Sequence, residues 1–248
     1  MKKIILSIAI MMLFINSYAQ KEATLKDDTL RFPKDKNKGK DIIIFDLYSD
    51  IWILKDKPDI ISVRTINQGI NFYLMINRPI STSNFSIAYG LGISSHNFYS
   101  DGMPVLEKIN GVPTGKTIFE TLGSHYQTTV NYKTNKLNLT YLDLPIELKF
   151  KTRDAHNRQL KFSLGFKIGY ELSDHTKYVG DDVLEGTTDQ ITIKKGNIKN
   201  INNWNYGVTA RVGKGVLNLM AYYSLSKIFN TDGPQMYPIS VGISITPY

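Results

Sequence analysis

The stretch Asn84-Phe-Ser-Ile-Ala-Tyr-Gly-Leu-Gly-Ile-Ser94 alternates without a slip. Phe85, Ile87, Tyr89, Leu91 and Ile93 fall on one face of an extended strand. Ser86, Ala88, Gly90, Gly92 and Ser94 fall on the other, because successive strand side chains take opposite sides. One face is broad and apolar, and the opposite face is almost bare. A soluble sandwich strand normally sets charges opposite its apolar residues. Small residues there suit a strand with lipid outside and a narrow, filled lumen inside.

The pattern recurs in eight segments: residues 42–54, 65–77, 84–94 (continuing toward Tyr99), 137–150, 160–171, 203–213, 216–226 and 238–246. In the fourth, Leu137, Leu139 and Tyr141 lead before Leu142, Leu144, Ile146, Leu148 and Phe150 take over. That change of phase predicts a β-bulge near Tyr141-Leu142. The connections supply an independent check. The second, fourth and sixth (78–83, 151–159 and 214–215) are short, whereas the third and fifth (100–136 and 172–202) are long. The first and seventh (55–64 and 227–237) are intermediate. Starting from a periplasmic amino terminus, an even strand count puts the longer connections outside and returns the carboxyl terminus to the periplasm. The sequence therefore predicts an all-β fold, an eight-stranded antiparallel up-and-down transmembrane β-barrel over residues 41–248, in the cell outer membrane. Tyr141, Tyr170, Trp204, Tyr206 and Tyr223 are expected near the outer interface, and Phe45, Phe85, Phe150 and Phe162 near the inner one.

Residues 1–19 read as a signal peptide, with Lys2 and Lys3, an apolar run over 4–15, and Ser17-Tyr18-Ala19 as the cleavage site. The run is shorter than the roughly 20 apolar residues of a membrane anchor. Residues 20–40, dense in Lys and Asp, read as a flexible periplasmic segment. The chain has no cysteine, which excludes a disulfide framework and a lipidated cysteine. The formal charge of +8 is spread along the chain, without a basic helix or a basic-aromatic cluster. Nucleic acid is therefore not an expected partner, whereas basic residues near lipid suit anionic lipid groups.

A soluble lipocalin-like barrel, apolar inside, is the competing architecture. The charges weigh against it. Asp46, Asp50, Asp143, Glu147, Lys149, Lys161, Lys167, Glu171 and Arg211 share the side of the glycines and serines. An eight-stranded barrel has an interior just wide enough for side chains. Five acidic and four basic residues read as a structural lumen charge network, centred on Asp143, Glu147, Lys161 and Lys167. A proton or small-ion path is the sharper alternative.

No catalytic, metal or cofactor site is predicted. His96, His125, His156 and His175 are scattered and read as ordinary exposed histidines, with no base set against a nucleophile and no metal-ligand spacing. Gly111-Val-Pro-Thr-Gly-Lys-Thr117 resembles the end of a phosphate-binding loop but has three residues between its glycines instead of four. The long connections are where function is expected. Ile118, Phe119, Leu122 and Tyr126 suit packing over the barrel mouth or a partner, and Gln190-Ile-Thr-Ile193 suits strands extended above the membrane.

The run Leu139-Thr-Tyr-Leu-Asp-Leu-Pro-Ile-Glu-Leu-Lys149 resembles the aromatic-Leu-acidic-apolar-Pro signature of PorT-type (OmpA-like) outer-membrane β-barrels of Bacteroidetes. The Ala19-Gln20 signal end and the Tyr-Gly-Leu-Gly-Ile strand agree with it. Over residues 42–248 the resemblance implies an OmpA-like eight-stranded barrel. Some members are linked to protein secretion across the outer membrane, and no motif places this chain with that secretion component. Tyr248 supplies the terminal aromatic of barrel proteins, but Pro247 shifts it out of the outward phase. The expectation is a non-enzymatic barrel with a structural or accessory role through its extracellular loops. Its partners would be outer-membrane lipid, the barrel-assembly machinery and proteins at the extracellular loops or periplasmic face. A small-solute transport barrel is the alternative, and a lipid-modifying or proteolytic outer-membrane enzyme a more distant one.

Overall fold

The computed structural model describes residues 40–54, 61–81, 83–152 and 160–246. The expected signal peptide, nearly all of the lead-in over 20–40, His156 and the Pro247-Tyr248 terminus lie outside the described residues. The strands are β1 (Lys40–Leu54), β2 (Gln68–Pro79), β3 (Phe85–Tyr99), β4 (Gly102–Ile109), β5 (Val112–Thr121), β6 (Tyr132–Lys151), β7 (Leu160–Asp182), β8 (Thr187–Gly196), β9 (Trp204–Lys214), β10 (Leu217–Ser224) and β11 (Met236–Ile245). One short helix, α1 (Leu122–Tyr126), follows β5.

Eight of these strands form a ring in the order β6-β3-β2-β1-β11-β10-β9-β7, which closes because β6 also pairs with β7. Every pairing in the ring is antiparallel. The seam between first and last strands is fully registered, from Phe45 opposite Ile245 to Leu54 opposite Met236. Closure satisfies the edge backbone groups, a requirement for any sheet that crosses lipid. β8 continues the sheet beyond the ring at the edge of β7, and β4 with β5 forms a separate hairpin.

Alternation fixes which face is which. In β2 every second residue from Gly69 to Asn77 is buried and the residues between them are exposed. The exposed set is apolar: Ile70, Phe72, Leu74 and Ile76 on β2, Ile87 and Leu91 on β3, Leu144 and Ile146 on β6, Val241 and Ile243 on β11. The buried set is largely polar. This inversion of a soluble core is the arrangement of a membrane barrel, with its apolar band turned to lipid.

The fourth predicted segment needs a correction. Leu137, Leu139 and Tyr141 do not precede a phase change in β6; they share the inward phase with Asp143 and Glu147 and are nearly fully buried. The extra residue is on the partner strand: Thr140 pairs with Ser173 and Tyr141 with Glu171, leaving Leu172 as the bulge of β7. Apolar residues at the start of β6 look outward in sequence only because the lumen is itself apolar at that level. For the same reason Tyr141, expected at the lipid interface, is 2% exposed inside the barrel.

The two ends of the barrel differ. One end carries the short connections. At the other, β6 and β7 run on beyond the ring and meet β8, β4, β5 and α1. The segment 100–136, read as a loop, is instead largely this hairpin and helix. Its hairpin turns at Asn110-Gly111, both with positive φ, a conformation that glycine and asparagine tolerate best.

Candidate functional site

Charged side chains reach the lumen because they occupy inward phases of β1, β6, β7 and β9. Arg211 of β9 is the hub at the short-turn end. Its Nη2 donates to Asp46 Oδ2 at 2.8 Å, and its Nη1 donates to Glu147 Oε1. Asn71 Nδ2 also donates to Asp46 Oδ2, at 3.0 Å, and Lys149 Nζ lies 3.5 Å from Glu147 Oε2. At mid-height Lys167 Nζ donates to Asp143 Oδ2 at 3.0 Å, and Tyr73 Oη donates to the same oxygen at 2.9 Å. The Lys167 ammonium sits 4.3 Å from the centre of the Tyr222 ring, a cation–π contact. Higher still, His96 Nδ1 lies 3.0 Å from Asp50 Oδ2, and Ser240 Oγ donates to Asp50 Oδ1 at 2.5 Å. Each of the four fully buried carboxylates (Asp46, Asp50, Asp143 and Glu147) thus has a nitrogen partner. Ions removed from water require such partners.

The nine charges singled out by sequence divide into two groups. Asp46, Asp50, Asp143, Glu147, Lys149, Lys167 and Arg211 are buried and in contact as described. Lys161 and Glu171 are half-buried at the two ends. Lys161 does not join Glu147; its Nζ donates to Gly215 O at 2.7 Å at the short-turn end. Glu171 lies at the other end, opposite Tyr141 in the β6–β7 ladder. Glu147 turns to Arg211 on β9, one strand beyond β7, a partner that strand adjacency in sequence does not indicate.

Among the histidines His96 is the second correction. It is 2% exposed, held between Asp50 and Tyr48 Oη (3.3 Å from Nδ1). His125 is exposed and contacts Glu120 Oε2 at 3.2 Å, and His175 is half-buried on β7. Ser240 and His96 both bond Asp50, so the Ser, His and Asp of the lumen do not line up as nucleophile, base and orienter.

The phase of the first segment sets Tyr48 inward with Asp46 and Asp50, whereas Tyr73 is not among the residues expected in the lumen, yet a signal for both exists. Tyr48 lies directly opposite Gly69 on one side and Gly242 on the other, and Tyr73 opposite Gly92. A methyl group at Gly69 or Gly92 would run into the neighbouring tyrosine ring. The bare inner face of β3 is therefore the bed on which the Tyr73 ring lies.

Above the charged layer the lumen is closed by apolar packing. Phe98, Leu137, Leu139 and Tyr141 from the strands meet Phe119 of β5, with Ile228 and Phe229 from the β10–β11 connection. Trp52 packs edge-on to Phe98 at 3.9 Å between ring centres, and Phe119 edge-on to Phe229 at 5.9 Å. Offset and edge-on contacts of this kind are the favoured aromatic geometries. Phe119, expected over the mouth, lies there; Leu122 and Tyr126 instead pack with Met103, Tyr178, Ile191 and Ile193 in a second cluster between α1 and the β7–β8 hairpin. Strand β8 includes the Gln190–Ile193 run expected to extend the sheet. A groove of about 590 Å³ opens between β5 and the β10–β11 connection, lined in part by Lys116, Ile118, Lys227 and Asp232.

The sequence also matches known proteins. Residues 53–230 match the family described as outer membrane protein beta-barrel domain. No curated protein matches the chain. Among solved structures, the chain is similar to Ail, the attachment invasion locus protein of Yersinia pestis, crystallised with the heparin analogue sucrose octasulfate. Identity is 11%, with 85% of this chain and 99% of Ail covered, at a TM-score of 0.34. The matched span takes in most of the ring and its closed lumen, and the chain belongs to the outer membrane protein beta-barrel domain family.

Proposed function

We propose that this outer-membrane barrel is non-enzymatic and acts through its extended end, which faces the cell exterior and offers a rigid β platform to a protein partner. The closed lumen carries this reading. A charged layer of paired side chains and an apolar layer lie in series, so the barrel serves as a mount and not as a conduit. Both termini then lie in the periplasm, since β1 begins and β11 ends at the short-turn end. The resemblance of the Pro145 strand to PorT-type barrels favours an accessory role in protein secretion. Deleting the gene tests that role: cargo accumulating in the periplasm supports it, and normal secretion rejects it. Outer-membrane fractionation with heat-modifiable gel migration and protease accessibility of β7–β8 in intact cells tests the orientation. The solute-transport alternative predicts conductance in planar bilayers, where a silent barrel is expected.

A further inference from the structure

On the outward face of the platform, lysines from three adjacent strands stand in one row. Lys136 of β6 pairs directly with Lys177 of β7, and Lys177 pairs directly with Lys194 of β8. Directly opposed residues of antiparallel strands share a face, with Cβ atoms about 5 Å apart, and like charges there are destabilising. The row continues toward β3, where Lys136 Nζ and the Arg64 guanidinium lie 5.5 and 5.3 Å from the centre of the Tyr99 ring. His175, two residues before Lys177 on β7, occupies the next outward position.

No carboxylate of the described residues lies within 4 Å of Lys136, Lys177 or Lys194. The nearest acids along β7 are placed elsewhere: Asp174 pairs with inward Leu139, and Asp181 lies four residues beyond Lys177, about 13 Å along the strand. Lys136 leans out of the row, donating to Asn97 Oδ1 at 2.7 Å. Burial, then Lys177 and Lys194, push its pKa below the ordinary lysine value. Three opposed ammonium groups without an acid to separate them are a cost to the fold unless an anion spans them.

We propose that the Lys136-Lys177-Lys194 row is a binding site for a multivalent phosphate group. Adjacent lysines across a strand spacing of about 4.8 Å suit two or three phosphate oxygens, each receiving a charge-assisted hydrogen bond. The row lies six ladder positions along β6 from the outer end of the apolar band, where Tyr170 meets Trp204. That is about 20 Å along the strand, at a level reached by a bulky phosphorylated lipid headgroup or by a free phosphate. The site stands independently of the accessory role proposed above.

The test uses the purified, folded protein in zwitterionic detergent. Calorimetry with pyrophosphate reads the free-anion arm. Native mass spectrometry after adding a bisphosphorylated glycolipid or phosphatidylcholine reads the lipid arm. Binding of pyrophosphate or selective retention of the phosphorylated lipid is expected. Lys177→Gln and Lys194→Gln should each weaken it about tenfold, and the double variant should abolish it. Lys108→Gln, near the turn of the separate β4–β5 hairpin and outside the β6–β7–β8 ladder, should leave it unchanged, and unaltered heat-modifiable migration would establish that the variants are folded. Lipid retention without measurable pyrophosphate affinity identifies a headgroup site, and the converse a soluble phosphate site. Failure of both probes, or equal binding by the double variant, overturns the proposal.

Discussion

Replacing Arg211 with Met tests the lumen most directly. Arg211 is 7% exposed and its guanidinium bonds both Asp46 and Glu147, residues that are 0% and 1% exposed. Met preserves most of the side-chain volume and removes the charge. Asn71 still reaches Asp46 and Lys149 still approaches Glu147, but neither substitutes for a two-pronged cation. Stranding a buried charge costs about 3–5 kcal/mol, or about two to three and a half decades in the folded-to-unfolded ratio at 1.4 kcal/mol per decade. Urea unfolding in phospholipid vesicles would read it. Trp52 reports the apolar plug and Trp204 the lipid interface. Neutralising Arg211 together with Asp46 (Asp46→Asn, Arg211→Met) should recover most of the loss, because it leaves Glu147 balanced by Lys149 and the penalty comes from imbalance. A single Arg211→Met variant within about 1 kcal/mol of the parent, the range of an exposed pair, would refute the claim that Asp46 and Glu147 depend on Arg211 as buried charges.

Ile146, outward on β6 and 57% exposed, faces mid-bilayer in this reading, so Ile146→Lys should cost about 2–4 kcal/mol in vesicles; indifference would argue against lipid on that face. Gly92→Val places a branched side chain against Tyr73 and the β2 backbone and should destabilise by about 1–3 kcal/mol through overpacking, measured by the same unfolding transition. Phe229→Ala removes a fully buried ring from the plug and should cost about 3–5 kcal/mol, yet the barrel should stay silent in planar bilayers because the charged layer lies in series. Burial, Lys194 and Lys136 depress the pKa of His175 below its ordinary value. The unfolded chain then holds more protons near pH 6.5, so this residue's contribution to stability is complete above about pH 6.5 and is lost as pH falls from there through the lower folded value. Hydrogen exchange in β7–β8 should quicken over that window in the parent and not in His175→Gln.

Much of the architecture was legible because period-two alternation survives in every strand of the ring. Phe85 to Ile93 faces outward and Ser86 to Ser94 inward, as their chemistry indicates. The alternation became ambiguous where both faces were apolar. At Leu137 and Leu139 the lumen is filled by aromatic and aliphatic side chains from connections distant in sequence, and no local pattern reveals that they arrive there. Arg211 and Glu147 illustrate the same limit for charge: both residues have the inward phase, but they stand on β9 and β6 and meet over the bare Gly165 of the β7 strand between them. His96 looks like an exposed strand end because the strict alternation stops at Ser94. The longer strand carries it inward beside Asp50.

β7 is one unbroken ribbon of 23 residues, about 75 Å along its path. It bonds to β9 below and β8 above while β6 follows along its other side. A load applied to the platform would therefore act along the strand and strain the β6–β7 hydrogen bonds together in shear, instead of opening them one at a time. The same ribbon carries Lys167 in the lumen and Lys177 in the platform, so tension between a surface attachment and the membrane would pass through a continuous backbone. Mechanically, the barrel is an anchor bolt whose shank and head are made from a single piece.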